Sequence, residues 1–577
     1  MSGKSTQKKN TTKARKSKDS KVRKRIFCVL SIAAICVAFL FNYKAMFDRK
    51  LDVNGDNISY FLLAKALSDG EGYVNLASPT APTHTHFPPG YPMFMSVFMR
   101  IFPDNIVAMK ILNGVLFFLA LLMLFRIIRK TTGDNIWLAL TACLVAVFHP
   151  DLLRWSVIMM SEMLYIVISF GIILICLDLD VGSIFTKGPK DKRQVARLIL
   201  LCLLVMSAYL VRTMGISVVL AAALAFGVTA LKALAGKSRT WWKPALAAVA
   251  ISVSLVLVHE GWSLRNQRVA PGFHSDYSTG FMYTFSQERM TPTLWKDRII
   301  SNFAEFTTQW IPDSMLRPAD TGDHTDHRKP TAAGWVKGLV LISLMCFGIS
   351  KLKKGRVLIL SYILITFSVL MLYQEQYAGV RYFIPVLPLM LFVLLNGIWW
   401  IFLLLTGLVS RKARVVVPVL AVLAVAAFLY KPFMDGQKPL RARAKYKTYL
   451  EMKNLNPDFA HYLQAAEWIK EHTGKEVVIA CRKPEMMYMY TGYRHSVMFP
   501  LRGDEQKVLD FFKDSGVNCV VVDTWAHHAY SVIFPVMANH KDAFPVYYQS
   551  SKDDSPAETL IAAFLPSKLS LETADDQ

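Results

Sequence analysis

Long apolar runs alternate with short polar connectors along most of the chain, and every second connector is basic. Runs near the ~20 residues that span a bilayer predict membrane helices. The first run, 26–41, follows a strongly basic flank. A cleaved signal peptide would end in a small-x-small site. Phe41, Asn42, Tyr43 and Lys44 stand there instead, which predicts an uncleaved first span extended toward Phe47, with its N-terminus inside. Residues 52–105 follow as a first outer loop. It holds a small amphipathic helix at 57–67 and, after Pro88 and Pro89, a short apolar helix at 93–102. Proline punctuates the start of that helix, which is too short to cross and is read as interfacial or re-entrant. Further spans are expected at 106–125, 136–148, 156–177, 198–211, 215–231, 245–262, 334–351, 357–373, 382–410 and 415–430, about eleven in all. A long polar loop, 263–333, separates the seventh from the eighth.

Charge orients this pattern. Basic clusters fall at Arg126–Lys130, 187–197, 232–243, 351–356 and 411–414. They occupy every predicted inner connector, as the positive-inside tendency requires. Residues 1–25 read as a disordered basic cytoplasmic tail beside anionic headgroups. Residues 431–577 emerge outside and change character. Helical runs at 459–472 and 507–514 alternate with the strand runs EVVIAC (476–481) and NCVVVD (518–523), which predicts a small extracytoplasmic α/β domain with a parallel sheet. The expected fold is therefore a polytopic α-helical membrane protein, its membrane module at 26–430, carrying a C-terminal α/β domain at 431–577.

Composition narrows the reading. The 577 residues are 53% hydrophobic and 12% aromatic, with a net charge of +24. That charge is spent on inner connectors, and no basic-aromatic module for nucleic acid is present. Six cysteines lie in or beside apolar runs and behave as small hydrophobes. Cys481 and Cys519 sit on the predicted strands, read as two buried thiols with a disulfide as the alternative. No Cys/His cluster has zinc spacing, and no Walker or GxGxxG loop occurs. No cofactor is called for, and a divalent metal is left open.

Candidate chemistry collects on the outer side. The first outer loop carries Asp52, Asp56, Tyr60, His84, His86 and Tyr91. Glu162, Arg212, Arg265 and Arg381 fall at outer ends of spans far apart in sequence. Ionisable residues at membrane depth are costly and mark functional sites. A carboxylate can take the proton of an attacking hydroxyl, and arginines can bind and neutralise a phosphate leaving group. A base, a phosphate clamp and a lipid-facing groove together describe transfer of a group from a lipid phosphate to a hydroxyl. Each residue has a plainer role. Asp56 can cap the helix that follows it, Glu162 can pair with a buried arginine, Arg212 and Arg265 can snorkel to headgroups, and His84 and His86 can be solvated loop residues. Trp241 and Trp242 fit an inner aromatic belt. Asp323, His324, Asp326 and His327 fit no metal cage and read as a solvated loop.

GDNISYFLLAKALSDGEGY followed by HFPPGYP resembles the first outer loop of the GT-C superfamily of membrane glycosyltransferases, in the branch of protein O-mannosyltransferases and aminoarabinose transferase. SEMLY at the fourth span, GWSLRN after the seventh and VRYFIPVLP at the tenth agree with it, so the resemblance covers roughly 30–400. It implies a polyprenyl-phosphate sugar donor, Asp56 as catalytic base, and inverting transfer on the outer face of a bacterial inner membrane. It also implies contact of the arginines and the HFPP stretch with the lipid phosphate. Catalytic roles then fall to Asp56 and Glu162. Substrate contacts fall to Tyr60, His84, His86, Tyr91, Arg212, Arg265, Asn266, Arg381 and Tyr382. The partners are the lipid-linked sugar, membrane lipid and an acceptor glycan, lipid or exported protein. This chain departs from the family in carrying Gly55-Asp56 where Asp-Glu is frequent, and Phe87 where some members carry lysine before the prolines. It lacks the WWDYG motif of oligosaccharyltransferases, which argues against en bloc transfer to asparagine. The alternative function is transport of a lipid-linked precursor, but that design expects midplane charges and paired repeats. A scaffolding role for the tail is the third reading.

Overall fold

A computed structural model describes residues 3–53, 55–184, 189–271, 281–284, 288–316, 328–374, 379–409, 413–452, 455–500, 504–523, 529–550 and 559–569. In chain order the helices that matter here are α1 (Gly3–Met46), α2 (Gly55–Asp69), α3 (Gly90–Met99), α4 (Ile106–Thr132), α5 (Ile136–Phe148), α6 (Pro150–Ser156), α7 (Glu162–Asp178), α8 (Pro189–Val211), α9 (Ile216–Ala235), α10 (Trp242–Val269), α11 (Pro292–Glu305), α12 (Ile311–Leu316), α13 (Ala332–Ser350), α14 (Arg356–Leu372), α15 (Val380–Phe383), α16 (Leu387–Val409), α17 (Ala413–Arg443), α18 (Pro457–His472), α19 (Pro484–Tyr490) and α20 (Glu505–Asp514). Among the described residues, seven helices are long and apolar enough to cross a membrane, or eight if the bent α5–α6 pair is one span. The chain is an integral membrane protein. Helical backbone in α1 extends back to Gly3, through the basic stretch that composition assigns to a disordered tail.

Two compact units emerge. The first comprises Met1–Phe47, Ile111–Val157 and Ser161–Ala442. Its helices pack α8 on α7 and α10, α9 on α10 and α14, and α13 on α16. The last pair approaches closely through glycine. A Cβ added at Gly348 would lie 1.9 Å from the Val393 carbonyl oxygen, and one at Gly397 would lie 2.3 Å from that of Leu344. Asn396 Nδ2 donates to the Gly348 carbonyl at 2.7 Å. Small residues and an interhelical amide bond are the usual means of joining helices in lipid.

The fold corrects two expectations, the fourth span and the sheet, and adds helices within the polar loop. The fourth span was placed at 156–177, but the helix begins at Glu162, because Pro150 starts α6 at a 66° bend from α5 and that short helix occupies 150–156. The polar loop at 263–333 carries α11, a π-helical turn at Phe306–Trp310 and α12. Its residues 323–327, with the Asp/His cluster, lie outside the described set.

The second unit comprises Asp48–Lys110, Ile158–Met160 and Arg443–Gln577. Its sheet contains β1 (Ile479–Cys481), β2 (Ser496–Met498), β3 (Cys519–Asp523), β4 (Val546–Ser550) and β5 (Thr559–Ala563), in the order β2-β1-β3-β5-β4. β1 pairs in parallel with β2 and β3, whereas β5 pairs antiparallel with β3 and β4. The sheet is mixed, not parallel. The connector from β4 to β5 is too short for the crossover a parallel pair needs. Val508, Phe512, Val520, Val522, Leu560 and Phe564 share its core. Cys481 and Cys519 are buried free thiols, and burial pushes Cys519 up to about 12.

The segment between α1 and α4 packs on this sheet domain. Ser496 N–H donates to the Ala77 carbonyl at 2.7 Å, and the Tyr490 hydroxyl donates to the Leu51 carbonyl at 2.7 Å. Beneath them lies a buried charge network. Lys110 Nζ stands 3.1 Å from both Asp48 and Asp52 and donates to the Lys50 carbonyl at 2.6 Å. Arg443 pairs with Asp52, and with Asp48 at 3.2 Å. The Tyr449 hydroxyl donates to Asp52 at 3.0 Å. Burial pushes the Asp52 carboxyl up, but the charges of Lys110 and Arg443 outweigh it and hold the group below its usual range.

Candidate active site

Asp56 lies in the first turn of α2, half-buried, where a carboxylate is favoured by the helix dipole. One turn on, Tyr60 is buried, its ring 4.8 Å from Phe87 and 5.1 Å edge-on to Tyr91. The segment between folds back on itself. His84 N–H donates to the Tyr73 carbonyl at 2.8 Å, Asn75 N–H to the Pro82 carbonyl at 2.9 Å, and the Tyr73 hydroxyl to the Phe87 carbonyl at 2.9 Å. His84 Nε2 accepts from the Phe87 N–H at 2.9 Å, and its ring stacks on Phe87 at 5.5 Å. His86 stands edge-on to Phe87 at 4.4 Å and to His84 at 6.3 Å. The two histidines therefore gather around Phe87 and shape the loop before α3. Tyr91 is 1% exposed and serves the same aromatic cluster. Among the described residues no group of three or more His, Cys, Asp or Glu converges as a metal cage would need.

In the other unit, Glu162 opens α7 and is fully buried. Arg212, which follows α8, places Nη1 2.6 Å from Glu162 Oε1 and donates to Ser161 Oγ at 3.1 Å. Arg381, on α15, places Nε 3.2 Å from the same carboxylate oxygen. The Arg381 guanidinium also lies over the Trp155 ring at 5.2 Å. One buried carboxylate thus holds two guanidiniums from distant helices, a cluster of net single positive charge. Fixed and partly desolvated, it suits a phosphate. Arg265 and Asn266 form a local pair near the end of α10. Arg265 Nη1 donates to Asn266 Oδ1 at 2.8 Å and stacks over Trp262 at 4.9 Å. Tyr382 sits 6.5 Å from Tyr373, ring to ring.

Sequence reasoning selected Glu162, Arg212 and Arg381, and the fold brings those three together. It missed Trp155. A tryptophan in an apolar stretch gives no sign of an arginine 226 positions later, although the neighbouring Arg154 hints at the headgroup boundary. Asp52, grouped with Asp56 by sequence, is taken instead by the Lys110–Arg443 network.

The whole architecture has solved counterparts. ArnT from Cupriavidus metallidurans, determined bound to undecaprenyl phosphate, superimposes with a TM-score of 0.55 at 12% identity, over 94% of this chain and 98% of that one. The oligosaccharyltransferase AglB from Archaeoglobus fulgidus, in complex with an inhibitory peptide and a dolichol-phosphate, does so with 0.53 at 13% identity, over 92% and 75%. This is the GT-C fold. At such identities the likeness is one of fold, and neither a family model nor a curated protein matches the sequence. Within this fold, Asp56 lies at the start of the short helix α2 that follows the first long helix, and Glu162 at the start of the helix after the α5–α6 bend.

Proposed function

We propose that the chain is a glycosyltransferase that moves a single sugar from a polyprenyl-phosphate donor to an acceptor hydroxyl on the outer face of the membrane. The observation that carries this reading is the Glu162-centred pair Arg212 and Arg381, a seat for one phosphate at the ends of apolar helices. The solved proteins of the same fold were determined with polyprenyl phosphates. In the proposed reaction the acceptor oxygen attacks the anomeric carbon and the bond to the phosphate oxygen breaks. Asp56 takes the acceptor's proton, and the lipid phosphate leaves as an anion neutralised by the two arginines. Attack opposite the leaving group inverts the anomeric configuration. Glu162 acts through the arginines by fixing their orientation. The proposed partners are membrane lipid and an acceptor glycan, glycolipid or exported protein. The proposed topology has about eleven spans, with the N-terminus cytoplasmic and the C-terminal domain outside.

The test uses the purified full-length chain in detergent. It is offered undecaprenyl-phosphate mannose, glucose and 4-amino-4-deoxyarabinose with cell-envelope lipids, glycans and exported protein as acceptors. Mass spectrometry should find a covalent sugar adduct and free undecaprenyl phosphate. Donor translocation in liposomes with no covalent product would replace this reading with transport.

A further inference from the structure

A residue of the C-terminal domain reaches the start of the Asp56 helix. Lys483 occupies the N-cap position of α19, the short helix that follows β1. Its backbone is pinned on both sides by one phenol: the Tyr462 hydroxyl donates to the Lys483 carbonyl at 3.1 Å and accepts from the Lys483 N–H at 3.3 Å. Helix α19 packs against α2, and its last residue, Tyr490, bonds the Leu51 carbonyl. The lysine side chain is thereby laid along Gly55. A Cβ built on Gly55 would stand 3.5 Å from Lys483 Nζ and 3.9 Å from its Cδ. Gly55 is the residue before Asp56, and with no side chain of its own it leaves that lane to the lysine. The N-terminal end of a helix is already electropositive, so an ammonium there is disfavoured unless an anion accompanies it. Asp56 is the acidic residue of that first turn.

We infer that Lys483 is a positioning residue for Asp56. Its ammonium holds the carboxylate in one orientation until an acceptor hydroxyl arrives. The inference rests on the reading of Asp56 as base. It gives the C-terminal domain a direct part in transfer.

The test measures transfer by the full-length chain, using whichever of the three undecaprenyl-phosphate sugars supports it, for Lys483→Gln, Lys483→Arg, Gly55→Leu, Asp56→Asn and the exposed control Lys475→Gln. Lys483→Gln should lower kcat by about tenfold or more, because a misoriented catalytic group costs that much. Donor KM and thermal midpoint should stay unchanged. Lys483→Arg should recover most of the rate, and Lys475→Gln should match the parent. Gly55→Leu displaces the ammonium without removing it, so it should reproduce the kcat loss and add little to Lys483→Gln. Full activity in Lys483→Gln beside an inactive Asp56→Asn overturns this inference alone. So does a loss that tracks a lowered midpoint, or one that arginine fails to restore. Full activity in Asp56→Asn instead removes the base, and the residue said to position it goes with it.

Discussion

In the proposed reaction charged side chains carry the chemistry, and their worth depends on what each one faces. Arg212 and Arg381 share a carboxylate that is fully buried. Removing one preorganised electrostatic stabiliser typically costs about 3 kcal/mol of barrier. Arg212→Gln and Arg381→Gln should each slow transfer about 100-fold or more in a steady-state assay. Lysine should rescue only partly, because it cannot reproduce the guanidinium's planar fork. Asp52 makes a separate prediction about pH. Its folded carboxyl lies below the ordinary range because Lys110 and Arg443 overcome the effect of burial. Its stabilisation is therefore complete above the unfolded value of about 4 and is lost as pH falls through the folded one. Thermal unfolding in detergent should show a level midpoint from about pH 8 to 5 and a fall below about pH 4. Asp52→Asn should be less stable at neutral pH by about 3–5 kcal/mol, since it leaves Lys110 and Arg443 buried with Asp48 as their one remaining carboxylate in the network, and its midpoint should fall less in acid. An identical acid limb in parent and variant would rule the network out as its cause.

Among the elements, α13 and α16 depend most visibly on what is missing from their contact. Gly348 and Gly397 let each backbone meet the other's carbonyls. Gly348→Leu should separate the two helices, lowering the thermal midpoint with a destabilisation of about 1–3 kcal/mol or more. Retention of the parent midpoint would show that the interface yields without cost. Long apolar helices such as α4, α9 and α16 were legible because composition alone decides that a segment enters lipid. Helix α11 was not. Its sequence PTLWKDRIISNFAE is interrupted by Lys296, Asp297 and Arg298, and it lacks an apolar run long enough to stand out from a polar loop. The start of α7 was misplaced for a related reason: apolar composition continues from Trp155 to Leu177, whereas the helix obeys the bend at Pro150. Strand β1 and strand β3 announced themselves as EVVIAC and NCVVVD. Strand β2 is three residues long, and β4 is an exposed edge strand, so neither offers a buried run to read.

At the scale of the whole molecule, the sequence reading placed the first outer loop with the membrane module and the C-terminal domain apart from it. Residues 48–110 and 443–577 instead fold as one compact unit. Nothing in the pattern of either segment discloses this. The ties are single residues paired across some four hundred positions: Asp52 with Arg443, Leu51 with Tyr490, Gly55 with Lys483. The motif around Asp56 was legible, by contrast, because its residues are contiguous. The central claim, that Asp56 is the base of a sugar transfer from a polyprenyl phosphate, meets its most direct test in one comparison. Parent and Asp56→Asn are matched for thermal midpoint and for binding of undecaprenyl phosphate, and the rate of covalent sugar transfer is measured for both. The account predicts that Asp56→Asn binds the lipid as the parent does and transfers at least about 100-fold more slowly. Equal rates for the two proteins would contradict it.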